Sequence, residues 1–389
     1  MRTSLRRFLT RPAYKLTPCR SAEGATPTTT RLVIDLDAIA ANWRLLRARH
    51  RGDVAGVLKA DGYGLGAARI APRLLAEGCR HFFTAHAQEA RALRPLLGGA
   101  MLCVLNGLCP GEAGAYVEHD LLPALGTLGE IGEWAAQARR VGRALPALLH
   151  IDTGMNRLGL DAEELDWLVR RPWLLDGVEL RYVMTHLCAA DTPDYPANAA
   201  QRLAFARECA RLDTVLDRAV PRSMANSSGL FLGDGFGSDL ARPGAALYGI
   251  NPVPGQPNPM RPTLRLTARV LSVRAVLAGA SVGYNGSWTA GRDGRIATLG
   301  VGYADGLPRA LSNAGRASFD GRPVPLVGRV SMDLTTFDVT DHPALRPGAW
   351  LELIGPDLPP DEVAACAGTN AYEILTSLGP RYERDYTAL

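Results

Sequence analysis

Lysine is nearly missing from this chain: Lys15 and Lys59 are the two lysines among 43 Lys+Arg residues, so arginine supplies almost all of the positive charge. No apolar run reaches the ~18 residues that a membrane span needs, which argues against a membrane partner. The seven cysteines, at positions 19, 79, 103, 109, 188, 209 and 366, include no CxxC pair and leave one unmatched. That pattern speaks against a disulfide or zinc framework, so no metal is expected, and it fits a reducing, cytoplasmic compartment. The net charge of +4 is thinly spread; a small anionic ligand can be steered, but a nucleic-acid stripe is not indicated. Acidic residues are missing before Glu23. Residues 1–30 read as a disordered N-terminal arm or an over-long start; they lack the apolar core of a secretory signal, although the Arg-rich composition also suits an organelle transit peptide.

What is present is material for two globular domains: 389 residues, 47% apolar and 21% charged. From about residue 32 to 249, candidate strands at 54–58, 81–84, 101–105, 121–124, 147–151, 180–185 and 222–225 alternate with helix-like stretches. The latter, at 37–49, 67–77, 87–97, 128–141, 162–170 and 197–217, carry apolar residues at three- and four-residue spacing. Such alternation predicts a parallel α/β barrel or a doubly wound sheet. A proline cluster at 252–259 is the best linker. Beyond it, 264–276, 295–301, 322–330, 334–339 and 350–354 are rich in β-branched residues and broken by Gly and Pro, which predicts a mainly β part.

Lys59 ends the first of these strands and precedes the run Gly62-Tyr-Gly-Leu-Gly66. A half-desolvated amine there has a lowered pKa and becomes a nucleophile. Arginine cannot replace it, because a guanidinium stays protonated and forms no imine. A Schiff-base lysine and a lysine snorkelling from a strand edge fit the local context equally. In a parallel barrel the C-terminal strand ends face the active-site mouth. Arg157 in Asp152-Thr-Gly-Met-Asn-Arg157-Leu-Gly159, His186, Asn226-Ser227 and Arg242-Pro-Gly244 all fall after candidate strands. Singly, each has an ordinary reading as a buried histidine or an arginine over apolar surface. Together they suit a phosphorylated cofactor with a planar ring: Tyr63, Ser227 and the backbone near Gly244 offer donors to a phosphate, and Lys59 offers the imine that pyridoxal phosphate requires. The glycine run lacks both the spacing of a dinucleotide site and the GK[ST] ending of a P-loop.

Val57-Leu-Lys59-Ala-Asp-Gly-Tyr63-Gly-Leu-Gly66 is similar to the pyridoxal-phosphate lysine motif of alanine racemases, and the similarity continues from about Arg31 through nearly the whole chain. The segment Asp152 to Gly159, Thr185-His186, Asn226-Ser227 and Arg242-Pro-Gly-Ala-Ala-Leu-Tyr248-Gly249 match in order and spacing. In the second part, Val282-Gly-Tyr284 resembles the segment with the family's catalytic tyrosine, and Gly302-Tyr303-Ala-Asp-Gly306, Gly328-Arg-Val-Ser-Met332-Asp333 and Ala371-Tyr372-Glu373 complete the pattern.

The resemblance implies a fold-type III pyridoxal 5'-phosphate enzyme. Residues 31–258 would form an eight-stranded (β/α)8 barrel of the TIM type that binds the cofactor, and 259–389 a β-rich C-terminal domain. The implied activity is alanine racemisation, with Lys59 the base on the D side and Tyr284 the base on the L side, serving peptidoglycan synthesis or alanine catabolism. Lys59, Tyr63, Arg157, His186, Asn226, Ser227, Arg242, Gly244 and Tyr372 would hold the cofactor. Arg157, Tyr303, Met332 and Asp333 would bind the amino-acid substrate. A head-to-tail homodimer would bring Tyr284, Tyr303, Met332 and Asp333 to the partner's barrel, and a path from Arg242 through His186 would acidify Tyr284. Many relatives have a lysine where this chain has His150. A broad-specificity amino-acid racemase is the nearest alternative; a fold-type III decarboxylase fits less well, because that family pairs the pyridine nitrogen with a carboxylate.

Overall fold

The computed structural model describes residues 28–387; the reading of a disordered arm falls mostly on residues outside that range. A seven-stranded parallel sheet occupies the first part, in the order Gly56–Val57, His81–Thr84, Met101–Val104, Leu122–Leu125, Leu145–His150, Val178–Met184 and Arg222–Ser223. That order never reverses, whereas a doubly wound sheet must reverse at its switch point, so the doubly wound alternative falls away. Leu122–Leu125 is buried along its whole length and its neighbours nearly so, the pattern of parallel strands covered on both faces.

Asp53–Val54, just before the first of these strands, pairs in parallel with Leu240–Ala241. The Arg242 N–H donates to the Ala225 carbonyl at 2.8 Å. Connecting helices begin where the sequence supplies an acceptor: Asp35 accepts from the Ala38 N–H before Leu36–Arg49, and Thr127 from the Glu130 N–H before Leu128–Val141.

The C-terminal part is built on an eight-stranded sheet, mostly antiparallel, around the long strand Leu264–Val276. Its first member comes from the other end of the chain. Thr30–Asp35, not among the candidate strands, pairs antiparallel with Leu264–Val276 and parallel with Glu383–Thr387. Leu32 and Ile34 point into the core and are fully buried, so alternation over six residues is enough to seat the strand. Two short helices, Pro360–Ala367 and Ala371–Thr376, lie between the strands Trp350–Ile354 and Glu383–Thr387, and the second brings Tyr372 to the parallel sheet's mouth.

Candidate active site

Lys59 opens a turn of unusual hand. Ala60, Asp61, Gly62 and Tyr63 have φ of 53°, 53°, 63° and 57°, and Gly64 has 81°. A left-handed helical turn costs roughly 1–2 kcal/mol for each L-residue, so the strain at Ala60, Asp61 and Tyr63 must be offset by contacts outside the turn. The Gly62 N–H bonds the Leu58 carbonyl and the Gly64 N–H the Ala60 carbonyl, both at 2.8 Å. Asp61 accepts from the Ala67 N–H at 2.8 Å. Tyr63 stacks on Tyr248, ring centres 4.7 Å apart, and meets the edge of Tyr372 at 6.4 Å. The Tyr248 hydroxyl in turn donates to the Val57 carbonyl at 2.8 Å, fixing the strand that carries Lys59.

A cavity of about 380 Å³ gathers Lys59, Tyr63, His186, Asn226, Ser227, Arg242, Gly244 and Tyr372, a volume suited to a cofactor with a small substrate. The Ser227 hydroxyl accepts from the N–H groups of Gly244 and Ala246, each at 3.1 Å. A Cβ at Gly244 would lie 2.2 Å from the Tyr63 hydroxyl, so only glycine leaves that oxygen its place. Tyr63, Ser227 and the backbone of Gly244 thus form a neutral cradle of polar groups for a phosphate.

Arg242 is 4% exposed. Its guanidinium donates to the Ser223 hydroxyl at 2.5 Å and to the Thr185 carbonyl at 2.6 Å. Burial lowers its pKa to about 10, which leaves it a cation at neutral pH. These partners are neutral, and neither is His186. Burial and then the charges of Arg242 and Arg157 bring the half-buried His186 down to about 3, so it is a neutral imidazole. Lys59 is lowered for related reasons: burial first, then Arg157, with Arg242 adding to it and Glu89 opposing. A lysine with a depressed pKa beside a phosphate cradle and a buried guanidinium is equipped to form an imine with a phosphorylated aldehyde.

Arg157 does not line the cavity; it is exposed on the excursion between Ile151 and Leu160, close enough for its charge to act on Lys59 and His186. Asp152 shapes that excursion by accepting from the N–H groups of Gly154 and Met155, at 2.8 and 2.9 Å.

The second-part residues stand apart. Tyr284, 69% exposed, sits at the tip of the hairpin joining Ser281–Val282 to Trp288–Thr289. Tyr303 and Met332 belong to one exposed surface, with Tyr303 N–H bonded to Ser331 O and Ala304 N–H to Met332 O, each at 3.0 Å. Asp333 pairs with Arg381 at 2.8 Å. None of these four lines the cavity within this subunit.

Several supports were not singled out in the sequence. Ser223 holds Arg242 together with Thr185, which the sequence had marked only as part of the Thr185-His186 match. Gln201, 1% exposed, donates to the His186 carbonyl at 2.9 Å and accepts from the Cys188 N–H at 2.9 Å, bracketing the histidine loop. A buried glutamine leaves no local signature. Glu89 did have one: it stands three residues after His86 at a helix start, the spacing of a capping pair.

Comparison with known proteins agrees along the chain. A family model described as alanine racemase, N-terminal domain, matches residues 34–252, and one described as alanine racemase, C-terminal domain, matches residues 263–386. An alanine racemase of Acidiphilium cryptum is 58% identical over 91% of this chain and 97% of that protein. A catabolic alanine racemase of Agrobacterium fabrum is 47% identical over 91% of each. The crystal structure of an alanine racemase from Bartonella henselae with covalently bound pyridoxal phosphate superposes with a TM-score of 0.89 at 39% identity, covering 93% of this chain and all of that one.

Proposed function

The chain belongs to the alanine racemase family, and from that premise we propose that it interconverts L-alanine and D-alanine with Lys59 and Tyr284 of the partner subunit as its two bases. The observation that carries this reading is the single cavity in which Lys59, depressed in pKa, shares walls with Arg242 and with Tyr63, Ser227 and Gly244. Those residues fit pyridoxal 5'-phosphate: Tyr63, Ser227 and the Gly244 backbone for the phosphate, Lys59 for the aldehyde carbon, Arg242 for the pyridine nitrogen. Asn226, Tyr372 and His186 complete the walls. Pyridoxal phosphate held there would supply an electron sink conjugated with the substrate amine, which would acidify the α-proton.

The rest is the work of this chain's groups. The Lys59 amine, lowered by burial and by Arg157, takes or returns a proton at the α-carbon from one face at neutral pH. Tyr284 is assigned to the opposite face. Its exposure at a hairpin tip supports a role on a neighbouring molecule, as does the exposure of Tyr303, Met332 and Asp333. We therefore assign a head-to-tail homodimer in which these residues close the partner's cavity and, with Arg157, bind the substrate. Arg242, charged at neutral pH, would face the ring nitrogen as a donor that does not give up its proton.

We further read the parallel sheet as a closed eight-stranded barrel. The pairing of Asp53–Val54 with Leu240–Ala241 and the bond from the Arg242 N–H to the Ala225 carbonyl support closure. The domain division follows, with the barrel ending near residue 258 and the β-rich part from 259, and the first strand lent to the second domain's sheet. A cytoplasmic location fits the unpaired cysteines of the described residues. Relatives of both plain and catabolic name match well, so cell-wall supply and alanine breakdown both stay within this reading.

The test is to incubate the purified protein and pyridoxal phosphate with a panel of L-amino acids and quantify D products by chiral chromatography. D-Alanine should dominate, Lys59→Ala should form none, and borohydride should fix the cofactor at Lys59 rather than Lys15. Equal D-serine or D-arginine production would replace this reading by a broad-specificity racemase.

A further inference from the structure

The lysine turn is fastened by a carboxylate from the next supersecondary unit. Glu89 lies in the first turn of the helix Ala87–Leu97, which follows the strand His81–Thr84 beside the lysine strand. One of its oxygens accepts from the Ala60 N–H, the first backbone group after Lys59, at 2.6 Å. The other accepts from the N–H groups of Ala85 and His86, at 2.8 and 3.1 Å. One side chain thus ties the start of the left-handed turn to the end of the neighbouring strand. The three donors it satisfies have few alternatives, because the N–H groups at the start of a helical turn, of either hand, have no acceptor within it.

We propose that Glu89 is a positioning residue for Lys59, holding the backbone that aims the amine into the cavity and supplying the negative charge that opposes the arginines around it. This rests on the reading of Lys59 as the imine-forming base. Glu89 does not line the cavity.

The charges around Lys59 are unbalanced without it. Arg157 and Arg242 both act on the amine with like charge, and Glu89 is the carboxylate that opposes them. His186 is neutral, Tyr63 and Tyr372 are pushed up by burial and stay uncharged, and Asp191 and Cys188 complete the titratable wall of the cavity. Neutralising Glu89 would lower the amine further and leave the Ala60 N–H without its carboxylate.

The composition supplies a clean measurement. With two lysines in the chain, protein grown on 13C-labelled lysine shows two side-chain resonances, and Lys15 serves as the internal control. In the full-length chain freed of cofactor, Glu89→Gln should shift the Lys59 titration midpoint downward and leave Lys15 unmoved. In the loaded enzyme kcat should fall by up to about 100-fold, the scale of a ~1 Å misplacement of a reacting group, with little change in KM. Glu89→Asp keeps the charge on a shorter arm; its Lys59 midpoint should stay near that of the parent while kcat still drops. A Glu89→Gln protein of normal fold with an unmoved Lys59 midpoint overturns the proposal, as does activity lost only in proportion to folded protein. If Glu89→Gln does not fold, Glu89→Asp decides: unchanged kcat overturns the role. Lack of imine formation in the parent protein would instead refute the assignment of Lys59, while the amine titration would still report on Glu89.

Discussion

His150 stands 7% exposed where many alanine racemases have a lysine. Burial first, then Arg242 and Arg157 against the opposing Asp152, lower it to about 4, and His186 reaches about 3. Both rings are therefore neutral at physiological pH, and neither gives Arg157 a negative partner. The consequence for stability has a definite sign. In the unfolded chain these imidazoles titrate near ~6.5, so between that pH and their folded values the unfolded state binds more protons. Stability is then lost as pH falls from about 6.5 toward 4, by at most ~1.4 kcal/mol per pH unit for each group. His150→Gln removes one contributor, and urea unfolding at pH 7.5 and pH 5 should show a smaller acid loss than in the parent protein. Equal losses would mean that His150 takes up its proton in the folded state. At this scale the sequence was most informative where a residue type is chemically irreplaceable. Lys59 and Gly244 could be named as candidates because only an amine forms an imine and glycine permits the close approach of a phosphate; that glycine also leaves room for the Tyr63 hydroxyl is seen only in the structure. Ser223 and Gln201 could not be named, because any hydroxyl or amide in a folded chain finds some partner.

The left-handed turn after Lys59 is the element that sequence reasoning could not draw. Glycine at 62, 64 and 66 marked a loop, but Ala60, Asp61 and Tyr63 carry side chains that ordinarily avoid positive φ. Their conformation follows from neighbours far along the chain: Glu89, Tyr248 and the helix Ala371–Thr376. Gly64 shows the dependence most directly. A Cβ there would lie 2.3 Å from the Leu375 carbonyl oxygen, at φ 81°, whereas one at Gly78, φ 102°, meets nothing within 4 Å. Gly78→Ala should cost about 1 kcal/mol from backbone strain alone. Gly64→Ala should cost at least ~2 kcal/mol, because rigid backbone must also move, and should weaken pyridoxal-phosphate binding. Urea unfolding and cofactor titration of both variants would check this; equal losses would show that the approach of the Leu375 carbonyl yields freely.

For the whole molecule, the exposure of Tyr284, Tyr303, Met332 and Asp333, all outside their own subunit's cavity, makes complementation the informative assay. Lys59→Ala and Tyr284→Phe should each be nearly inactive. In a mixed dimer one site then receives both intact residues and the other neither, so random exchange of equal amounts should restore about a quarter of the parent activity. No recovery after subunit exchange verified by mass spectrometry would mean that each cavity is completed by its own chain.

The sequence by itself determined the alternation of strands and helices, the proline-marked change to β structure, and the rarity of lysine that singles out Lys59 as the candidate amine. Those features are written in local periodicity, in turn residues and in side-chain chemistry that no other residue supplies. Tertiary structure alone decided that Thr30–Asp35 leaves the first part to join the C-terminal sheet, that Arg242 rests on Ser223 and Thr185 rather than on His186, and that Glu89 anchors the turn after Lys59. Each of these depends on which surfaces meet once the chain is packed, and pairing between residues so far apart in sequence leaves no periodic trace in the chain that makes it.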